Sequence, residues 1–328
     1  MALERSVTVV VPTRNRRDVL AQTLGAIVAQ RDVEVRIVVV DEGSSDETPT
    51  YLHAVAGDRI TVVRHDPPTG LAGARNAGLE LAATPWVAFC DDDDLWAPDK
   101  LASQLDAIAA VPGARWSCTG TVSIDEDLQV IGYHRPPPSG DVRERLRVTN
   151  VIPGGGSSVL VATDLARAVG GYDAWATGCE DFEMHCRVSK EAPIACVDRP
   201  LVGYRVWNGS MSTDVDRMRT GHLRTLERHR GDLDPAVARP GDLHAEQYWA
   251  RFHLRNRDRL RALAAYAGIA ARHRRPGQLA YALWGALDPR GADRHQARLE
   301  RRGVPAEWEA AARAWLDQVE ALEPLQPA

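Results

Sequence analysis

Through the first half of the chain, short apolar runs alternate with stretches whose apolar positions recur at helical spacing. This alternation predicts an α/β fold, a mostly parallel central sheet flanked by helices. VTVVV (7–11) reads as a buried strand that ends at Pro12. After the polar RNRRD, the positions Leu20, Leu24, Ile27 and Val28 mark one face of a helix. VRIVVVD (35–41) is a second strand, and in the following EGSSDET the residues Ser44, Ser45 and Asp46 are candidates to cap a helix over 48–55. RITVVRH (59–65) is a third strand, GLAGARNAGLELA (70–82) a small-residue turn and a helix, and WVAFC (86–90) a fourth strand. That last strand delivers Asp91, Asp92, Asp93 and Asp94 at its C-terminal end.

From about 116 to 210 the pattern is more mixed. WSCTGTVSI and PLVGYRVW read as strands, GGGSSVLV as a glycine turn opening a strand, EDFEMHCRVSK as a short helix, and YHRPPPSGDVRER as a mobile loop. Beyond about 215 the chain is helical in character. Leu254, Leu260, Leu263, Ala267 and Ala270 mark one face there, and RRPG (274–277) breaks the helix. Two parts follow, an α/β domain over 1–214 and a helical C-terminal region over 215–328.

Composition changes this picture little. The 328 residues are 44% hydrophobic and 26% charged, ordinary for a globular chain. No run approaches the roughly 18 apolar residues of a membrane span, and VTVVV is too short for the apolar part of a signal peptide. A cytoplasmic location is expected. Cys90, Cys118, Cys179, Cys186 and Cys196 include no CxxC pair and read as reduced thiols. The charge of −5 is uneven: residues 1–214 hold 20 Lys+Arg against 30 Asp+Glu, and residues 215–328 hold 20 against 15 with no lysine. The basic second part, with Arg251, Arg255 and Arg259 at i, i+4 spacing, leaves open a peripheral contact with the inner face of a membrane, an anionic acceptor, or a homo-oligomer through its helices. Nothing calls for a nucleic-acid partner.

Three polar clusters, at 12–16, 41–46 and 91–94, fall at carboxyl ends of predicted parallel strands, where open α/β sheets bind ligands. Four adjacent aspartates repel one another unless a cation, hydrogen bonds or water offsets the charge. Hard carboxylate oxygens suit Mn²⁺ or Mg²⁺, which often share a substrate's phosphates, although a solvated acidic turn has the same composition. In GGYDAWATGCEDFEMHCRV (170–188), Glu180 and Asp181 open a predicted helix. They read either as favourable charges at a helix start or as a general base for a hydroxyl nucleophile.

VTVVVPTRNR, VVVDEGSSDET, GLAGARNAGL, FCDDDDLWAP, VGGYD…CEDFE and YRVWNGSMS stand in the order and rough spacing of the family 2 glycosyltransferases, which have the GT-A fold. The chain resembles that family over about residues 5–213. The resemblance implies an inverting, usually metal-dependent transferase (a hexosyltransferase-type enzyme) moving a sugar from a nucleotide-diphosphate donor, UDP-linked by preference, with Mn²⁺ or Mg²⁺. It also implies a nucleotide-binding half over about 1–110 and an acceptor half over about 111–214. Pro12, Thr13 and Arg14 match the segment lining the nucleoside pocket, and Asp41 and Glu42 the acidic pair near the base. Glu42 is one methylene longer than the usual aspartate. Arg75 matches an arginine near the nucleotide. Asp91 and Asp93 match the outer positions of the DxD motif, with Asp93 as chief metal ligand and Asp91 and Asp92 near ribose and metal. Asp181 matches the catalytic base, with Glu180 beside it near acceptor or donor sugar. Trp207 stands where many relatives carry a histidine that approaches the metal, and the QxxRW signature of processive synthases is absent, so a single transfer is expected. The acceptor, whether glycan, lipid-linked, peptide or small molecule, stays open.

Two alternatives remain. A sugar-nucleotide nucleotidyltransferase would want a glycine-rich phosphate loop after the first strand, and PTRNRRD has no glycine. A non-catalytic sugar-nucleotide binder or assembly protein would keep the acidic loop and lose the base. A dinucleotide oxidoreductase lacks GxGxxG at the required place, and GLAGARNAG and PGGGSS read as turns.

Overall fold

A computed structural model describes residues 3–207, 214–255, 258–288 and 304–322, together with residues 291, 295 and 325. Residues 208–213, which complete the YRVWNGSMS motif, lie outside the described residues, as does the side chain of Arg255.

The first half builds as its apolar runs dictate. Strands β1 (Ser6–Thr13), β2 (Glu34–Asp41), β3 (Ile60–Arg64) and β4 (Trp86–Phe89) lie parallel in the order β3-β2-β1-β4. Helices α1 (Arg17–Val28), α2 (Thr48–Val55) and α3 (Leu71–Leu81) make the crossovers. β1 is buried along its whole length, which explains why its sequence is a continuous apolar run. GLAGARNAG is a turn only at Gly70, and the rest is α3. Its small residues allow close approach: a Cβ on Gly78 would stand 2.2 Å from a Val10 methyl.

The sheet then continues as β8-β6-β9-β5, with β7 on β6, giving nine strands of mixed direction. Here β5 is Leu95–Trp96, β6 Trp116–Ile124, β7 Val130–His134, β8 Val159–Ala162 and β9 Ile194–Arg205. β4 meets β8, β8 meets β6 and β5 meets β9 antiparallel, while β6 meets β9 parallel, so only the first half is wholly parallel. The segment expected as a loop after residue 133 is partly regular: β7 ends at His134, and a short helix, α5 (Arg143–Val148), follows the prolines. Here α4 denotes Lys100–Ala110, α6 Thr163–Ala168 and α7 Glu180–Glu191.

The capping expectation at α2 is corrected. The cap residue is Glu47, with no side-chain cap bond, while Asp46 accepts from the Thr48 amide at 2.9 Å. Ser44 and Ser45 instead join Asn15: the Asn15 amide donates to Ser44 Oγ at 2.9 Å, and the Ser45 amide to Asn15 Oδ1 at 2.7 Å. These bonds tie the ends of β1 and β2 together.

In the C-terminal region, α8 (Val215–Arg230) packs on α5 and α7, and α9 (Pro235–Arg255), α10 (Arg259–Arg272) and α11 (Gly277–Leu287) follow. The expected apolar face is also corrected. Ala262, Tyr266 and Ile269 are the buried residues of α10, whereas Leu260 is 81% exposed and Ala267 is exposed. Arg251 and Arg259 sit on separate helices and share no single face. The helix Glu307–Glu320 returns to the sheet. Trp308 fills the space above Gly120, and the Trp315 indole N–H donates to Pro200 O at 2.7 Å. None of the described helices is long and apolar enough to cross a membrane.

Candidate active site

The loop 91–94 is strapped between β4 and β5, and β5 pairs with β9 at Leu95↔Gly203. What balances four adjacent carboxyl groups is visible atom by atom. Asp91, 30% exposed at its side chain, accepts from Arg75 Nη2 at 2.6 Å. Asp92 accepts from Thr13 Oγ1 at 2.7 Å and from Arg16 Nη1 at 3.2 Å. Asp93 Oδ2 accepts from the same Arg16 nitrogen at 2.5 Å and from the Trp207 indole N–H at 2.9 Å. Asp94 is fully buried: one oxygen accepts the Arg205 amide at 3.1 Å, and the other has no hydrogen-bond partner among the described residues. Burial, reinforced by Asp93 and Asp91, pushes its carboxyl well above the ordinary carboxylate range. Burial also raises Asp92, to about 7, against the pull of Arg16. Asp91 Oδ2 and Asp93 Oδ1 accept no hydrogen bond from any described residue.

Arg75 links this loop to α7. It is 3% exposed, lies over the Tyr172 ring at 5.0 Å, and stays firmly charged because attraction to Asp91 outweighs its burial. Its Nε is buried and has no hydrogen-bond partner among the described residues. The turn Gly154–Ser158 closes the arrangement. Ser157 Oγ accepts from the Asp91 amide at 3.0 Å, and a Cβ on Gly156 would stand 3.3 Å from Arg75 Nη2. A Cβ on Gly155 would stand 2.7 Å from Asp181 Oδ2, and Gly155 has φ +54°, which favours glycine. The turn read from PGGGSS is therefore the piece that brings the Asp181 carboxylate, Arg75 and Asp91 together.

Asp181 and Glu180 sit in the first turn of α7, whose cap residue is Cys179 without a side-chain cap bond. Asp181 is half-buried and accepts from its neighbour's amide, Phe182 N, at 2.8 Å through Oδ1. Glu180 is 5% exposed. The Cys179 thiol is buried, and burial raises it, so it is no reactive nucleophile.

The nucleoside candidates are distributed differently. Pro12 and Thr13 are buried at the end of β1, and Arg14 is exposed beside them without a contact to the acidic loop. Asp41 accepts from the Ser44 amide at 2.9 Å and pairs with Arg64. Both Glu42 oxygens are committed to residues 65–70: Oε2 takes the Thr69 and Gly70 amides at 2.6 Å each, and Oε1 meets His65 Nδ1 at 2.5 Å. Glu42 thus anchors the entry to α3, and its extra methylene relative to aspartate gives it that reach. A cavity of about 340 Å³ between α2 and β3 is lined by Asp41, Leu52, His53 and Arg64 among others, and by no residue of the acidic loop or α7.

Sequence reasoning missed Arg16 and Arg205. Arg16 stands in the 12–16 cluster but two residues past Arg14, the last matched position, and its signal was only that a basic residue follows PTRN.

The profile of the family described as Glycosyl transferase family 2 matches residues 8–157. The succinoglycan biosynthesis protein ExoO of Rhizobium meliloti is 37% identical over 100 residues, 30% of this chain and 29% of that protein. An Escherichia coli UDP-Glc:alpha-D-GlcNAc-diphosphoundecaprenol beta-1,3-glucosyltransferase, WfaP, is 24% identical over 145 residues, 44% of this chain and 57% of that protein. The chain thus spans well under two thirds of these relatives. Two solved structures share its fold. They are S. aureus TarS 1-349 in complex with UDP-GlcNAc (TM-score 0.58, 17% identity, 92% of this chain and 93% of that one) and the mannosyltransferase PcManGT of Pyrobaculum calidifontis in complex with GDP-Man and Mn²⁺ (TM-score 0.57, 22% identity, 94% and 86%). The fold is GT-A, and the residues that match the glycosyl transferase family 2 profile carry most of β1, all of β2 to β4, the acidic loop and most of the glycine turn.

Proposed function

We propose that the protein transfers a sugar from a nucleotide-diphosphate donor to an acceptor hydroxyl, once per encounter and with inversion. The observation that carries this reading is the glycine turn, which sets the Asp181 carboxylate, with Oδ2 against Gly155, next to the arginine that holds Asp91. A donor diphosphate at the acidic loop and a base on α7 would then come together from two different segments. Asp181 takes the acceptor's proton as the acceptor oxygen bonds to the anomeric carbon, and the bond to the diphosphate oxygen breaks with its electron pair leaving on that oxygen. A single displacement inverts the anomeric centre. Arg75 holds the acidic loop through Asp91, beside the place the diphosphate would take. Pro12, Thr13 and Asp41 line the sheet's end where the nucleoside would lie, whereas Glu42 acts at one remove by fixing the 65–70 segment. Glu180 borders the sugar. Residues 1–214 would form the transferase unit, with the helical region after 215 shaping the acceptor side.

A divalent ion fits in part. Among the described residues no three ligating side chains gather around one point. Asp91 and Asp93 each keep one uncommitted oxygen, which suits Mn²⁺ or Mg²⁺ completed by the donor's phosphates. Bound there, the ion would supply positive charge to the leaving diphosphate. The complexes of the two structural neighbours, one with UDP-GlcNAc and one with GDP-Man and Mn²⁺, support this class of ligand. The acceptor and the sugar stay at class level. WfaP, named for a diphosphoundecaprenol acceptor, makes a lipid-linked acceptor the first to try.

The test is release of UDP from UDP-sugars with Mn²⁺, followed for wild type and Asp181→Asn. The expected result is loss of turnover in the variant with UDP affinity retained. Full turnover in the variant would remove Asp181 from the role of base.

A further inference from the structure

Arg16 uses only part of its guanidinium on the protein. Nη1 spans Asp92 Oδ1 at 3.2 Å and Asp93 Oδ2 at 2.5 Å, and no described residue accepts a hydrogen bond from Nε or Nη2. Its Cζ lies over the Trp207 ring, 4.6 Å from the centroid, and the same indole donates to Asp93 at 2.9 Å. Its own amide donates to Thr48 Oγ1 at 3.2 Å, so backbone and side chain are both fixed where β1 hands over to α1. The side chain keeps 22% exposure at the C-terminal end of β1, where open α/β sheets take their ligands. A planar guanidinium held by one nitrogen and open at the others is suited to phosphate oxygens.

We propose that Arg16, clamped by Trp207 onto Asp92 and Asp93, is a second and permanent cation for the donor's diphosphate, giving the protein a share of nucleotide affinity that needs no divalent ion. Arg16 is the contacting residue, and Trp207 positions it. The inference rests on the reading that this cleft takes a nucleoside diphosphate. The charges favour it: Asp91, Asp92 and Asp93 face Arg75 and Arg16, so a metal that binds Asp93 joins a resident cation instead of relieving an uncompensated cluster. Stacking on the indole and the shared carboxylate keep the guanidinium in place before ligand arrives, which reduces the ordering cost of binding.

The experiment is calorimetric titration of the full chain with UDP and with GDP, once with Mn²⁺ and once with EDTA, at one ionic strength. Wild type is expected to bind in EDTA within about tenfold of its affinity in Mn²⁺. Arg16→Gln is expected to lose at least about tenfold in EDTA, the loss of a charge-assisted bond, and about threefold or less in Mn²⁺. Arg16→Lys should recover part of the EDTA affinity, and Trp207→Phe, which keeps a ring and loses the N–H, should lose about threefold in EDTA only. Thermal melts confirm that each variant is folded, and if Arg16→Gln is not, Arg16→Lys and Trp207→Phe carry the comparison. A ratio of EDTA to Mn²⁺ affinity unchanged between wild type and the folded variants overturns the proposal, as does wild type that binds with Mn²⁺ and not at all in EDTA. Absence of binding to either nucleotide in both media would instead overturn the functional reading beneath it.

Discussion

Helix α7 carries, within its first turn, two carboxylates only two residues apart with opposite fates, Asp181 and Glu183. Asp181 in the first turn is half-buried and keeps Oδ2 against a glycine, with no donor from a described residue on it. Glu183 has a fully buried side chain and every oxygen is taken: Arg187 donates from Nε at 2.9 and 3.0 Å and from Nη2 at 2.5 Å, and His229 Nε2 lies 3.1 Å away. Arg187 in turn donates to Val169 O and, at 2.7 Å, to Gly171 O. The closed cluster pins α7 to α8 and to the 169–173 turn. Saturation is what makes it structural, and openness is what leaves Asp181 able to accept a proton. The acidic loop sits between these extremes, partly neutralised by arginines and partly open.

That contrast can be broken at either end. Asp181→Asn should lower turnover about a thousandfold, about 4 kcal/mol in the transition state, while leaving the melting temperature nearly unchanged. Steady-state rates and thermal melts on the same samples check both halves. Glu183→Gln should do the reverse. Burial alone would raise Glu183, but hydrogen bonds from His229 and Arg187 outweigh it and hold the carboxyl at about 2 against an ordinary 4.5. A depressed carboxylate contributes stability that is fully present above its unfolded value and lost as pH falls through its folded value. The contribution, on the order of 3 kcal/mol at neutral pH, should therefore fade between pH 4.5 and pH 2. Urea unfolding of wild type and variant at pH 7 and pH 3 should show a gap that narrows with acidity; a gap that widens would contradict the assignment.

Gly155→Ala sharpens the comparison from the backbone side. The new methyl would press on Asp181 Oδ2, the far end of a side chain that can swing away, and would sit at φ +54°. Turnover should fall about thirtyfold, about 2 kcal/mol, with UDP affinity kept, as calorimetry beside the rate assay would show. Arg228→Ala marks the lower bound. Arg228 is 44% exposed and pairs with Asp173 at 2.8 Å at the rim of the Glu183 cluster, so its loss should cost about 0.5 kcal/mol or less in the same unfolding experiment.

The parts of this arrangement that were legible in the sequence are local. The valine-rich runs of β1 and β2 could only be buried strands, and the four aspartates after β4 could only lie at a sheet's end. The helical run from Glu180 followed from its spacing. What stayed hidden depends on partners distant in the chain. Nothing near Arg16 announces Trp207, and nothing near Glu183 announces His229. The face of α10 was misread because leucine is more apolar than alanine, yet the neighbouring helices cover Ala262, Tyr266 and Ile269 and leave Leu260 in solvent. The prolines of residues 136–138 suggested a loop throughout, although β7 is held by its pairing to β6 and α5 by Leu146, which is buried in the core. For Glu42, adjacency to Asp41 is visible in the sequence, and the two amides it binds, at Thr69 and Gly70, are not.

The account rests on a carboxylate and a diphosphate site facing each other across one anomeric carbon. A crystal structure of Asp181→Asn with an intact UDP-sugar measures this directly. The predicted result is residue 181 on the side of the anomeric carbon opposite the diphosphate, with room for one acceptor hydroxyl at about 3 Å from its side chain. A sugar whose anomeric carbon shows residue 181 the same face as the diphosphate, or lies beyond its reach, would contradict the claim.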